Sequence, residues 1–300
     1  MNRNTSIAML LLAGLLPAAA LAATPIDETR TVNADARVSV DNVKGSINVS
    51  VWDLNEVHIG GSLGEGVEKL EIDGGGDHLD IQVHYPQSSG WFGGNGKSGP
   101  TRLDIKVPRA VVLDLEAVSA DIEVSGIDSQ GLDAESVSGN VSIDARAREA
   151  SISSVSGDLE LRIDAQDLRV ESVSGNITAT GDISGSLRAE VVSGDIDITA
   201  GELREIRLST VSGDVDLRAA MAASGRLSAE SVSGDIGLQF PASLSAEIEA
   251  ETFSGDIRSP VGKVEKAGFG NGSTLETRAG SGSGRISLET FSGDIVIDLK

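Results

Sequence analysis

Serine, glycine and an acid or amide stand together eight times in this chain, from Ser138-Gly139-Asn140 to Ser292-Gly293-Asp294. A serine on a tight turn can act as a nucleophile when a base lies within hydrogen-bond reach. Bases are scarce here. The three histidines, His58, His78 and His84, all precede the array, and no G-x-S-x-G turn is present. Serine hydrolysis is therefore not expected. His78 and His84 alternate with Asp80 and Gln82 on one face of a strand. Six residues of strand span about 20 Å, too far for one ion to bridge. These histidines read as solvated surface groups.

Carboxylates offer two further chemistries. Glycosidases pair one acid with one nucleophile or base at a defined separation. An aspartate repeated in every unit singles out no such pair. A sugar groove also favours aromatic platforms, and aromatics make up 3% of the chain. The second chemistry is cation binding. Asn140, Asp158, Asn176, Asp195, Asp214, Asp235 and Asp256 occupy equivalent positions. Stacked in register they would lie about 5 Å apart, repelling by roughly 1 kcal/mol in water and about 3 in a surface-like dielectric. The expected arrangement is that each accepts backbone hydrogen bonds at a bend and stays solvated. Weak calcium binding by Asp195, Asp214, Asp235 and Asp256 is the alternative. The glycine-rich calcium nonapeptide is not present, and no other cofactor is expected.

The spacing of these residues defines the elements that carry them. The repeat glycines are Gly139, Gly157, Gly175, Gly194, Gly213, Gly234, Gly255 and Gly293, at steps of 18 to 21 residues and a last step of 38. A degenerate copy, "AVSADIEV", places Ala120 nineteen residues before Gly139, and an earlier echo, "NVKGSINV", covers Asn42 to Val49. The last step reads as two periods of 19. A fixed short period means stacked units.

Each unit reads as two strands. The first, as in Leu168-Arg-Val170-Glu-Ser172, alternates apolar or small with charged residues. In the second, as in Val173-Ser-Gly175-Asn-Ile177, Val, Gly and Ile share a face. The alternations are out of phase, because Ser172 and Val173 both belong to inward sets. Consecutive residues of a strand cannot point the same way. A bend or bulge is therefore expected at the Ser/Thr–Val/Phe junction, with the following glycine leaving room on the inner face for close backbone approach. Length variation falls between units, in "AGELREI", "RAAMAASGR" and "QFPASLSAE". Arg169, Arg188 and Arg207 beside Glu171 and Glu190 read as a solvated, register-fixing face. One unit has about six inward apolar residues, worth roughly 1.5–3 kcal/mol each. Ordering about 19 residues costs roughly 1.5 kcal/mol each, so a lone unit loses and must stack on neighbours. The fold class is all-β, a β-solenoid of about 18–21 residues per coil at a spacing of about 4.8 Å.

Residues 24–110 alternate without the repeat and contain a hairpin signal around Gly74 to Gly76. They read as an N-terminal β cap continuous with a solenoid over 111–300, hiding its open edge. Two Gly-rich excursions interrupt the pattern. Pro86 to Pro100 carries Trp91 and Phe92, candidate partner contacts because exposed aromatics anchor interfaces. Residues 262–284 replace one regular unit.

Residues 1–23 read as an export signal: Arg3, the apolar run Ile7 to Ala22, and Ala20-Leu21-Ala22 as a cleavage pattern. No later run has spanning length, so no transmembrane anchor is expected after cleavage. With no cysteine, stability comes from something other than disulfides. The formal net charge of −22 repels phosphate backbones and anionic membranes, so nucleic acid is not an expected partner.

"VDNVKGSINVSVWDLNEVHIGG", "LDIKVPRAVVLDLEAVSADIEV" and the "SVSGDI" series through "FSGDIVIDL" give the chain a resemblance. It resembles the bacterial "putative adhesin" β-strand-repeat family, a domain of unknown function of the 4097 type, over nearly all of its length after the leader. The resemblance implies an exported β-solenoid, a right-handed parallel β-helix, and transfers no catalytic residue. "Adhesin" in that family name is an analogy to other solenoids.

The leading reading is a non-enzymatic, exported envelope module, structural or adhesin-like, at the periplasm or cell surface, contacting another protein or a glycan. The alternatives are a carbohydrate-active β-helix enzyme, lyase- or glycosidase-like, and a periplasmic signalling or envelope-stress partner. Clustered carboxylates of perturbed pKa in one groove, beside a basic or aromatic platform, would favour the enzyme.

Overall fold

In the computed structural model, residues 24–86, 98–266 and 271–300 are described, and they form strands, turns and bends with no helix. The export signal and the candidate contacts Trp91 and Phe92 lie outside the described residues.

The repeat builds parallel coils in strict register. Val141–Ser156 pairs along its length with Leu159–Ser174, from Val141 against Leu159 to Ser156 against Ser174. The next coil continues through Ile177–Gly181 and Ile183–Ser193, then Ile196–Ser212 and Val215–Ser233. In each coil the apolar residues at alternate positions turn inward, so equivalent side chains stack. Ile143, Leu161, Ala179, Ile198 and Leu217 form one such buried column. Aliphatic columns repeated at about 4.8 Å fill a narrow interior by contact between like side chains. Large aromatics are not needed for this, and Phe240 is the one among the largest fully buried side chains. Extra residues are absorbed between coils, as at the register shifts after Thr199 and Leu203. Ser224, at φ 64°, sits in one of these connections.

The bend differs in position from the expectation. Ser172 is buried, Val173 and Ser174 are exposed, and burial resumes at Ile177. Val173 therefore keeps the alternation of the first strand and points outward, and the chain turns over Ser174-Gly175-Asn176. The change of phase is taken up by the Ser-Gly-Asp tripeptide, not by the Ser–Val junction.

The glycine requirement is also axial, not internal. A Cβ added at Gly175 would stand 2.2 Å from the carbonyl oxygen of Gly157, and one at Gly157 would stand 2.2 Å from that of Gly139. The same collision, at 2.0–2.4 Å, holds at Gly194, Gly213, Gly234, Gly293 and Gly255. Each bend glycine lies directly over the backbone of the one before it.

Both ends of the stack are built by intercalation. At the N-terminal end, residues 37–50 of Thr24–Trp52 pair with 112–125 of Val112–Ser138 on one side. On the other side they meet Lys69–His84 and Thr101–Pro108. "NVKGSINV" is thus a true coil, with Gly45 level with Ala120. At the C-terminal end, Gly284–Ser292 lies between residues 226–233 and Ala246–Ser254. Ile295–Leu299 likewise lies between Ile236–Phe240 and Ile257–Arg258. The 38-residue step is therefore not two stacked periods, because the Gly293 coil enters between those of Gly234 and Gly255. The described parts of 262–284 form antiparallel strands, not a parallel coil. Within them Ser273–Ala279 runs antiparallel along Ala246–Ser254, and Glu265–Lys266 pairs antiparallel with it in turn. At the opposite end Glu56–Leu63 pairs antiparallel with residues 24–31 and with 102–106. The parallel ladder thus meets antiparallel strands at both ends, which limits its open edges.

Candidate functional site

The outward turn of the repeat valine has a large consequence. Val43, Val118, Val137, Val155, Val173, Val192, Val211, Val232, Phe291 and Phe253 are all exposed, from 41% at Val43 to 59% at Phe291. They share one register. Val155 lies beside Val173, and Val173 beside Val192, because Ser154 pairs with Ser172 and Ser172 with Val191. The remaining rungs follow the same pairings through Val232, Phe291 and Phe253. The rings of Phe253 and Phe291 stack at 4.8 Å with planes 5° apart. The result is a continuous exposed apolar ladder along the solenoid, much larger than the scattered apolar residues of an ordinary surface.

An acidic column flanks it. Two residues before each valine, on the same face, stand Asp41, Glu116, Glu135, Glu171, Glu190 and Glu230, with Ser153 and Ser209 interrupting the acids. Valine and acid columns line a groove of about 700 Å³. Burial, followed by the charges of Asp114 and Asp80, pushes the Asp41 carboxyl above its ordinary value. The charge of Asp41 first, then burial, raises Glu116. Burial first, then Asp114 and Glu135, raises Asp133. Like charges are thus crowded at the N-terminal half of this face. Further along, Arg169 pairs with Glu171, Arg188 with Glu190, and Arg207 with Glu205 at 2.6 Å. These arginines form the expected mixed-charge face.

The aspartate ladder does structural work at the bend. Oδ1 of each residue accepts the backbone N–H of its equivalent one coil on: Asp158 from Asn176 at 2.9 Å, Asp195 from Asp214 at 2.9 Å, and Asp214 from Asp235 at 2.8 Å. The order then runs Asp235, Asp294, Asp256, with bonds of 2.7 and 2.9 Å. Asp294 and Asp121 belong to this ladder. Asp256 also holds Lys266, whose hydrogen bond and charge keep its carboxyl below the ordinary value. The four candidate calcium residues are thus neighbours in space, with the Asp294 rung between Asp235 and Asp256. Among the described residues no three His, Cys, Asp or Glu side chains form a group suited to holding one metal ion.

The histidines sit in the cap. His78 lies 3.0 Å from Asp80, and His84 lies 2.7 Å from Glu71 across the hairpin. His58 lies near Trp52, with ring centroids 6.1 Å apart. The tripeptide serines belong to the stacked bends, so the sequence elements that resembled a nucleophile and its base lie on different parts of the chain.

The valine ladder is the feature that sequence reasoning missed. Its signal was available: once Ser172 is inward with Leu168 and Val170, parity sends Val173 outward.

Parallel coils stacked on a shared glycine column, capped at both ends and carrying an exposed apolar ladder, define a β-solenoid repeat protein. The chain belongs to the Toastrack DUF4097 family, whose model matches residues 46–298. No curated protein matches it. A solved structure from Clostridium sporogenes, described as a "putative cell adhesion protein", is 11% identical. The match covers 92% of this chain and 100% of that one, at a TM-score of 0.23, and at that score it carries no argument.

Proposed function

We propose that this chain is a non-enzymatic, exported envelope module that uses its ladder face to contact another envelope component. The observation that carries this reading is the in-register apolar column from Val43 to Phe253, exposed along the whole stack. A folded solenoid gains nothing from outward valines and phenylalanines in water. They become favourable when a partner removes them from it. The leader-like residues 1–23 support export to the periplasm or cell surface. The test is crosslinking in intact cells with fractionation, comparing the wild type with Val155→Thr/Val173→Thr/Val192→Thr. Loss of one specific envelope crosslink in the variant supports the contact face. An unchanged crosslink pattern, or a cytoplasmic protein, contradicts it.

A carbohydrate-active enzyme is the second reading, favoured by the raised carboxyls of Asp41 and Glu116 in one groove. Against it, the groove wall is valine and contains no aromatic side chain among the described residues. Polysaccharide cleavage that disappears in Glu116→Gln would establish it.

A further inference from the structure

The ladder face carries two chemistries in parallel stripes. Val118, Val137 and Val155 form the apolar stripe, and Asp41, Glu116 and Glu135 run beside its N-terminal part. Further along the groove Glu171 and Glu190 are matched within the chain by Arg169 and Arg188. Asp41, Glu116 and Glu135 have no Lys or Arg ion pair among the described residues. Burial and the neighbouring acids already disfavour the ionised form of Asp41, and the charge of Asp41, then burial, that of Glu116.

This layout selects among occupants. A second copy would bring another acidic face to this one, in a chain of net charge −22. An anionic bilayer meets the same repulsion. A glycan would leave the valine stripe without an apolar partner. A polypeptide with one apolar stripe and one basic stripe satisfies both columns at once. The rung spacing of about 4.8 Å is close to the rise per turn of an α-helix, about 5.4 Å, so a helix laid along the solenoid axis presents one turn per coil over several coils.

We propose that this face binds a cationic amphipathic helix of a partner protein. Its apolar stripe lies on Val118, Val137 and Val155, and its Lys or Arg side chains lie over Asp41, Glu116 and Glu135. The proposal rests on the contact-face reading and names the partner's chemistry.

The test uses the full chain without its leader and a fluorescein-labelled Leu/Lys peptide of about 18 residues, long enough for about five turns. Leucine is placed at helical spacing, and controls are a scrambled Leu/Lys peptide and a patterned Leu/Glu peptide. Anisotropy should show saturable binding of the patterned cationic peptide, about tenfold or more tighter than the scrambled one, and weakening with salt. Val118→Thr/Val137→Thr/Val155→Thr and, separately, Glu116→Gln/Glu135→Gln should each weaken it about fivefold or more, with melting curves confirming a folded chain. Equal binding of patterned and scrambled peptides would reduce the effect to net charge and overturn the proposal. So would unchanged affinity in either folded variant. Self-association that disappears in the valine variant, without peptide binding, would assign the face to a second copy. If the envelope crosslink depends on the valines while the peptide does not bind, the contact face stands and the helix is wrong.

Discussion

Phe291 stacks on Phe253 with ring centroids 4.8 Å apart, although 38 residues separate them and Phe291 belongs to the last coil. The contact exists because the C-terminal coil enters the stack between two earlier ones. Residues 246–258 have no direct parallel neighbour toward the main array except this coil. Deleting residues 284–300 should therefore release 246–258 and 273–279 as one cooperative unit. Hydrogen exchange should show those amides losing protection while 141–217 keeps it. Retained protection over 246–258 would contradict the intercalated order.

The bend glycines make a sharper prediction. Gly175→Ala would drive a Cβ to 2.2 Å from the carbonyl oxygen of Gly157, a backbone atom that cannot turn aside. The expected loss is about 3 kcal/mol or more in denaturant unfolding. Gly131→Ala is the control: its Cβ would meet only a methyl of Val112, at 3.3 Å, and the change should be below about 1 kcal/mol. Equal effects at the two positions would remove the axial-contact explanation.

At the next position of the bend, Asp214 accepts the N–H of Asp235 at 2.8 Å. Asp214→Ala removes the acceptor and should cost about 1 kcal/mol. Asp214→Asn keeps an acceptor, as Asn140 and Asn176 do in their own rungs, and removes a charge from the column. It should be neutral or stabilising. A destabilisation as large as that of alanine would mean the carboxylate charge itself is required.

Ser172 lies in a buried column where its hydroxyl has no hydrogen-bond partner, and the equivalent residue one coil on is Val191. An unsatisfied buried hydroxyl destabilises by about 1–3 kcal/mol. Ser172→Ala should therefore raise the melting temperature or leave it unchanged, which a calorimetric scan would read. A clear fall would show that the hydroxyl does find a partner.

The crowded carboxylates give a pH dependence with a definite sign. Asp41 and Glu116 have raised values in the folded chain, so the folded state binds their protons more tightly than the unfolded one. Their destabilising effect is fully present above the raised values and is relieved as pH falls toward the ordinary carboxyl range. Asp41→Asn/Glu116→Gln should raise Tm by about 1–2 °C at pH 7, with the gain shrinking below about pH 4 and in high salt. No gain at pH 7 would mean the repulsion is already screened.

Much of the fold was legible because a solenoid writes each coil in the same words. The period, the inward Ile and Leu, the cap hairpin and the echo at Asn42 to Val49 follow from alternation and recurrence. Two things were not. Coil order follows pairing, not chain order, so no spacing rule places Gly293 before Gly255. The site is hidden in the sequence because valine is the residue expected inside: chemistry groups Val173 with Ile177, while parity with Glu171 puts it outside. The outward face exists because the bend lies at Ser174-Gly175-Asn176 rather than at Ser172.

The most direct measurement places a photo-crosslinking side chain at position 173, on the valine ladder, and separately at Thr178, exposed in the next stretch of the same coil beyond the bend. Illumination of intact cells should give a discrete crosslinked envelope species from position 173, repeated at positions 155 and 192, and none from 178. Equal crosslinking from 173 and 178, or none from any ladder position, would contradict a contact function for this face.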